Sequence, residues 1–417
     1  MRAATLWMAV FCAALLIQSA ARAESKPTDP IRFSVNAMGY WTDNRDSWET
    51  SDKQSTWDFY VTPKVDAMHH GEQTWLDFYY APSYRYRSNP SDIQNDTLLE
   101  HDLGLKIRQD FSPRLEGRLF EKFDYSDDPS IDKSGSQVRG DLTYYLNRAE
   151  VGLIHDMTRH AKVDISVRNM IKRYTDKDAA SESDEDRTDG GVILYGDLSP
   201  TLALVVLANY ANYGFSSKFG LDRDFDAALG AIGLEKIFTQ SLRGGAKAGA
   251  QSVQYKDKGL DSQVSPYGEL WLKGWTIPST MLALDLTHGV READAYPFAS
   301  QEYTDLRGDM EWAMTESKRF ILNLTGVYRI SHYSGSQDLP PSIVQAIQNN
   351  PDLAFFLSQI GLQDSGDVKT IEEEIGVTYR MTETSSLKFT QRYEDVNSEV
   401  GVSYTKNAFS LALTKQF

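Results

Sequence analysis

The sequence predicts an all-β fold, namely a transmembrane, antiparallel, up-and-down β-barrel of about 18 strands, with 16 strands as the other possible number. Apolar and polar residues alternate with period two along many segments, which is the pattern of a strand with one apolar face. Long polar segments and tight turns also follow one another in strict alternation. Long extracellular loops and short periplasmic turns are typical of outer-membrane barrels, so the sequence predicts that class.

The N-terminal segment has the features of a secretory signal. A basic residue at the second position precedes an apolar run over residues 6–16, and residues 21–23 form a small-residue cleavage site. We therefore predict a signal peptide over residues 1–23 and an outer-membrane barrel domain over residues 24–417. The only cysteine, Cys12, falls in the predicted signal, so no disulfide, thiol nucleophile or cysteine-bound metal is expected in the barrel domain.

The strand predictions rest on clear alternation. In the first strand, Ile31, Phe33 and Val35 would share one face, and Arg32 and Ser34 the other. Later segments repeat this pattern, among them Trp57–Val65, Leu76–Tyr86, Leu103–Ile107, Val163–Val167, Leu282–Leu286 and Phe320–Tyr328. A soluble β-sandwich or propeller would also contain alternating strands. It would not predict alternating loop lengths, and no blade-length repeat is visible.

Eight tight turns contain proline, glycine or short polar residues, as turns require. They lie near His69–Glu72, Phe111–Pro113, Thr158–His160, Ser199–Pro200, Thr239–Gln240, Ile277–Pro278, Glu316–Ser317 and Glu383–Thr384. Nine longer loops lie between them, which gives 18 strands. Both chain ends would then lie on the periplasmic side.

Several short motifs resemble a family of outer-membrane β-barrel porins that is encoded with exopolysaccharide biosynthesis operons. They are Tyr40–Asn44, Phe59–Pro63, Tyr80–Tyr84, Asp124–Asp128 and Tyr145–Ala149. The resemblance implies a channel in the bacterial outer membrane that passes, or helps to pass, polysaccharide across it.

The C-terminus, Phe409–Phe417, resembles the closing strand of outer-membrane proteins, an amphipathic strand that ends on phenylalanine. In that class the barrel-insertion machinery recognises this strand, which implies the same partner here. Lys415 departs from the usual apolar residue on that face.

The inward positions of the third to seventh predicted strands carry many basic residues. The candidates for lining the pore are Arg85, Arg87, Lys106, Arg108, Arg114, Arg118, Lys122, Arg148, Arg168 and Lys172. The acidic residues on the same faces are Asp77, Asp102, Glu116, Asp124, Glu150 and Asp164. Two interpretations are open. An arginine-rich wall would suit uronic-acid sugars or other anions, whereas interleaved ion pairs would only stiffen the barrel.

The tenth to fourteenth predicted strands are more balanced in charge. Their inward residues would be Glu235, Glu269, Asp285, Asp305, Asp309 and Glu311 against Arg243, Lys247, Lys273, Arg291 and Arg307. One wall of the interior would then be basic and the opposite wall close to neutral.

Two external loops have distinct compositions. Residues 176–189 are strongly acidic but lack EF-hand spacing, so a solvated loop and weak divalent-cation binding at the lipopolysaccharide surface both fit. In the longest loop, about 334–367, apolar residues recur at helical spacing and predict two short amphipathic helices, which could cap the rim or form a gate. The gate or cap candidates are Ile343, Ile347, Leu353, Phe356, Leu357 and Ile360.

Neither an HExxH nor a GxSxG motif occurs, and we predict no enzymatic activity and no cofactor. The net charge of −16 argues against nucleic acid as a partner. Three functions fit the sequence. They are a channel for exopolysaccharide export, a general porin for small anionic solutes, and a structural or adhesive barrel with a plugged interior. The expected partners are outer-membrane lipid, lipopolysaccharide, the insertion machinery and an anionic polysaccharide.

Overall fold

The computed structural model describes the chain from residue 30 onward, with gaps in the longer loops. The described residues are 30–45, 47, 53–90, 95–127, 143–175, 184–216, 223–257, 262–277, 279–293, 298, 300–315, 317–334, 365–400 and 403–417. The predicted signal peptide and all six gate or cap candidates lie outside these residues.

The described chain forms one sheet of 18 antiparallel strands. The first nine are β1 (Ile31–Thr42), β2 (Thr56–His70), β3 (Thr74–Arg87), β4 (Thr97–Ser112), β5 (Leu115–Ser126), β6 (Tyr144–Asp156), β7 (Ala161–Tyr174), β8 (Glu185–Ser199) and β9 (Leu202–Phe215). The second nine are β10 (Phe225–Ile237), β11 (Leu242–Tyr255), β12 (Gln263–Ile277), β13 (Thr280–Glu292), β14 (Ser300–Ala313), β15 (Phe320–Ser334), β16 (Ser365–Arg380), β17 (Ser385–Ser398) and β18 (Tyr404–Gln416). The prediction of 18 strands is confirmed.

The sheet closes on itself because β1 pairs with β18 as well as with β2. Closure gives every strand a paired neighbour on both sides, which a sheet in lipid requires. The connections alternate as predicted. Each even strand up to β16 joins the next strand through a short turn, and each odd strand up to β15 is followed by a longer loop. The connection between β17 and β18 departs from the prediction, since residues 399–403 are as few as those of a turn. The end with the short turns is called the periplasmic end below.

No helix in the described part of the chain is both long enough and apolar enough to cross a bilayer.

The two faces of the strands differ as the alternation predicts. Large apolar side chains such as Val151, Ile165 and Leu284 lie exposed on the outer face. Charged side chains such as Arg85 and Asp58 lie buried on the inner face. The pairing of β4 with β5 places Asp102 opposite Asp124 and Arg108 opposite Arg118, so their side chains share one face.

One loop prediction needs correction. The acidic segment predicted as the loop 176–189 extends into β8, which begins at Glu185. Glu185 and Asp189 face the interior, where they contact Lys172 and Arg168. A run of acidic residues looks like a solvated loop in the sequence, but part of this run supplies counter-ions to bases on the neighbouring strand.

The upper part of β13 bends into the barrel. Its ladder with β12 ends at the pair Gly268 and His288, although both strands continue toward the extracellular end. The side chain of Gln251 on β11 takes over the role of a backbone partner. It donates to the carbonyl of Val290 at 2.7 Å and accepts from its N–H at 3.0 Å. The side chains from Val290 to Ala293 are buried, so this segment narrows the interior.

The alternation of loops and turns predicts which connections face outward. A protease site inserted in the acidic loop, residues 175–184, should be cleaved on intact cells, because long loops lie outside. The same site inserted at the turn after Ser199 should be protected until the outer membrane is permeabilised. Immunoblotting of treated cells measures both. Cleavage at the turn but not at the loop would mean that the barrel has the opposite orientation.

Candidate functional site

The interior of the barrel holds nearly all of the basic residues predicted to line a pore. Nine of the ten lie on inner faces of β3 to β7, as the strand pairing places them. The tenth, Arg114, lies in the turn between β4 and β5 rather than on a strand, where it borders the periplasmic mouth. The predicted inward residues of β10 to β14 also share inner faces.

The two arginines nearest the extracellular end of β3 are each paired with a buried carboxylate. Arg85 has no exposed surface, and its two terminal nitrogens donate to the two carboxylate oxygens of Asp127. Arg87 forms a bidentate pair with Asp58, with its Nη2 donating to Oδ2 at 2.7 Å and its Nε at 3.0 Å. Such buried pairs hold the wall in one arrangement, because removing one partner leaves the other as an unpaired buried charge.

Further along the wall, single bases connect neighbouring strands. Arg118 contacts Glu150 at 3.1 Å and makes a bidentate pair with Asp164 at 2.9 and 3.0 Å. Lys122 contacts Asp124 at 3.1 Å. The remaining pairs in this region are Arg168 with Asp189 at 2.6 Å and Lys172 with Glu185 at 2.9 Å. For these residues the geometry favours the interpretation as ion pairs.

Two of the predicted pore residues are held more loosely. Arg108 lies 3.8 Å from Glu116, and its guanidinium stacks over the indole of Trp75 at 4.1 Å. The Lys106 ammonium lies 5.8 Å from the ring centre of Phe120. These two bases leave more of their charge available to the interior than the buried pairs do. Arg148 lies on the inner face of β6, opposite Lys122.

The opposite wall contains its own ion pairs. Arg307 is bidentate to Asp309, and Arg329 is bidentate to Asp305. Further pairs there and on the adjoining strands are Lys247 with Glu269 at 2.8 Å and Arg392 with Glu372 at 3.1 Å. Both walls are therefore built from interleaved charges, and the predicted contrast between a basic and a neutral wall is weaker than the sequence indicated.

Three cavities within the described residues are each lined by more bases than acids. A cavity of about 600 Å³ at the periplasmic mouth has five bases and three acids. A second, of about 560 Å³, lies between β16–β18 and β1–β5 and has six bases and five acids. The third, of about 470 Å³, lies under the inward bend of β13 and has four bases and three acids. Volumes of this order accommodate small ligands.

The bases that line these cavities form three sets. They are Arg114, Arg159, Lys162, Lys236 and Arg243 at the mouth, then Arg45, Arg87, Lys122, Lys388, Arg392 and Lys406 in the second cavity, and Arg168, Arg187, Arg291 and Arg307 in the third. Each of the three cavities is thus lined by one or two more bases than acids, although the chain as a whole carries a net charge of −16.

Some interior residues were not among the sequence candidates. Lys388 and Lys406 line the second cavity and form no ion pair with a described residue. Trp271 borders the mouth cavity from the inner face of β12. The signal for Trp271 was present in the sequence, since it lies at period two between Glu269 and Lys273, both of which were predicted to point inward.

No group of three or more histidine, cysteine or carboxylate side chains suited to a metal ion occurs among the described residues.

Known structures share this architecture. A BenF-like porin from Pseudomonas fluorescens Pf-5 is 9% identical and superposes with a TM-score of 0.51, covering 93% of this chain and 99% of that one. OccK2 (OpdF) from Pseudomonas aeruginosa is 10% identical, with a TM-score of 0.50 and coverage of 93% and 98%. At this identity the similarity shows the fold alone.

No curated protein matches the chain in sequence. The model of one protein family, described as "Putative beta-barrel porin 2", matches residues 31–417, which is the whole of the barrel. Together with the closed 18-stranded sheet, this places the protein in the bacterial outer membrane. The chain belongs to this family of β-barrel porins.

Proposed function

We propose that the protein is a passive outer-membrane channel that prefers small anionic solutes. One observation supports this function most strongly. Each of the three cavities described above is lined by one or two more bases than acids, although the chain is acidic overall. Rings of arginine and lysine make pores favour anions, because the local potential is positive along the path.

The bases outside tight ion pairs carry most of this preference. Lys388 and Lys406 face the second cavity from adjacent strands. The bases in bidentate pairs add less, because a carboxylate within 3 Å of each guanidinium cancels most of its field.

Reversal potential in a salt gradient across a planar bilayer tests the proposal. The wild-type barrel should favour chloride over potassium. Replacing Lys388 and Lys406 together by glutamine should lower the chloride-to-potassium permeability ratio about two- to fivefold, since two positive charges leave the path. Stable channels without anion preference would disprove the proposal, and persistent absence of conductance would favour the plugged, structural barrel.

Lys369 provides the matched control. It lies exposed on the outer face of β16, so its replacement by glutamine removes one charge from the chain without changing the interior. The permeability ratio should not change in this variant. An equal drop would mean that the selectivity arises from the overall charge rather than from the cavities.

Export of an acidic exopolysaccharide, the function implied by the sequence motifs, remains a second proposal. The same basic cavities would suit a polyanion, and the two proposals differ in the size of what passes. Liposome swelling with acidic oligosaccharides of increasing length separates them, because a channel for small solutes should stop swelling beyond a few sugar units.

A further inference from the structure

The inner face of β12 carries two aromatic rings one above the other. Trp271 borders the mouth cavity, and Tyr267 borders the cavity under the bend of β13. Four residues of strand separate them, which is about 13 Å. The two rings thus lie along the line that joins the two cavities.

Glycines on the neighbouring strands let these rings lie close against the wall. Gly245 on β11 is the pairing partner of Trp271, and a β-carbon there would lie only 2.6 Å from the indole Nε1. Gly289 on β13 likewise leaves room for the ring of Tyr267, since a β-carbon there would lie 3.3 Å from ring atom Cδ2. Each ring therefore lies close to the neighbouring strand and also borders a cavity.

Within the described residues, no other ring and no cation stacks on Trp271. Trp75, on the opposite wall, is different. The Arg108 guanidinium lies 4.1 Å from its ring centre, and the His70 imidazole stacks on it at 4.8 Å. The indole of Trp271 is therefore available to a solute, whereas Arg108 and His70 already stack on that of Trp75, which is 40% exposed.

Polar groups flank the two rings. The Tyr267 hydroxyl donates to Glu269 at 2.8 Å, and Lys247 donates to the same carboxylate at 2.8 Å. Asp285 lies directly opposite Trp271 in the strand pairing, and Lys273 follows on the same face of β12. Carboxylates accept hydrogen bonds from hydroxyl groups, and lysine ammonium groups attract a solute carboxylate.

We propose that the inner face of β12 is a track for sugar acids in their pyranose form. The C–H groups on one face of a pyranose ring pack against a flat aromatic ring, and its hydroxyls bond to carboxylates at the ring edge. This inference rests on the proposed anion channel and narrows its substrate class to cyclic uronates. A sugar would contact Trp271 first from the periplasmic mouth and Tyr267 next, or the reverse on entry from outside.

The experiment compares two anions of the same charge. Galacturonate forms a ring, whereas galactonate is an open chain with equally many carbons. Blocking of the chloride current in planar bilayers gives a half-blocking concentration for each. Galacturonate should block at a concentration about two- to tenfold lower, as expected for one or two ring contacts. The Trp271→Leu variant should lose this difference and retain the blocking by galactonate.

Two further variants keep the test independent of folding defects. Gly245→Val should displace the indole from the wall and reduce the preference for galacturonate as Trp271→Leu does. Trp75→Leu should retain the preference, because Arg108 and His70 already stack on that ring. Unchanged chloride conductance shows that each barrel is assembled. Equal blocking by both anions in the wild type, or a preference that survives in Trp271→Leu, would overturn the proposal.

Neutral galactose separates the track from the proposed function. If the wild type shows no anion preference in reversal potential, the anion channel fails. In that case, blocking of the current by galactose that disappears in Trp271→Leu would still support a sugar track. If galactose blocks neither the wild type nor Trp271→Leu, the track fails together with the anion channel.

Discussion

Replacing Arg85 by glutamine is expected to destabilise the barrel strongly. The guanidinium has no exposed surface and satisfies both oxygens of Asp127, with Glu100 3.4 Å from its Nη1. Removing one member of a buried pair leaves the other charged and without its main partner, which costs about 3 to 5 kcal/mol. Urea unfolding of the refolded barrel in detergent, followed by heat-modifiable mobility on gels, measures this loss.

Arg108 provides the control for this prediction. Its side chain is 39% exposed and lies 3.8 Å from Glu116, so the pair is partly hydrated. Replacing Arg108 by glutamine should cost less than about 1 kcal/mol. If both variants lose stability equally, burial does not determine the contribution of these pairs, and the interpretation of Arg85 as a structural residue is wrong.

The architecture could be predicted from the sequence because both of its determinants are local. A strand in a membrane barrel must turn one apolar face to lipid. The alternation of apolar and polar residues from Ile31 to Val35 indicates such a face directly. Turn chemistry also appears in short segments such as Ser199–Pro200. The strand count and the closure of β18 on β1 follow from these local features.

The ion-pair network could not be predicted in the same way. Asp127 is 42 positions from Arg85, and Asp164 is 46 positions from Arg118. Which carboxylate meets which guanidinium depends on the stagger between strands, and a shift of two residues would exchange partners without disturbing the alternation. The alternation therefore predicted the inner face correctly for nine of the ten bases. It left the ion-pair and anion-wall interpretations open.

Two sequence predictions differ from the structure for identifiable reasons. Arg114 belongs to the turn because β4 continues to Ser112, with its ladder to β5 irregular between Asp110 and Ser112. The acidic segment was predicted as a loop up to Asp189 because its composition is that of solvated chain. Ion pairs with Lys172 and Arg168 on the neighbouring strand outweigh that tendency, because they replace the hydration that the carboxylates lose inside the barrel.

Deleting Phe417 should produce the largest loss of assembled barrel. Its backbone N–H donates to the carbonyl of Phe33 on β1 at 2.8 Å, next to the last pair of the β1–β18 ladder, and its ring is buried. Deletion removes both contacts at the seam where the sheet closes, and an open seam leaves strand edges without partners in lipid. The amount of heat-modifiable protein in isolated outer membranes should fall sharply.

Two substitutions at this end of the chain separate closure from recognition by the insertion machinery. Phe417→Ala retains the bond to Phe33 and loses only the aromatic ring, so insertion in cells should drop while refolding from urea into detergent stays efficient. Lys415 lies on the outer face, and its ammonium reaches the turn to donate to Thr384 at 2.8 Å. Lys415→Leu should therefore assemble at least as well as the wild type, because it exchanges one hydrogen bond for apolar area in lipid.

Wild-type levels of barrel after deletion of Phe417 would mean that the seam is held by the other β1–β18 pairs alone and that the terminal residue is dispensable.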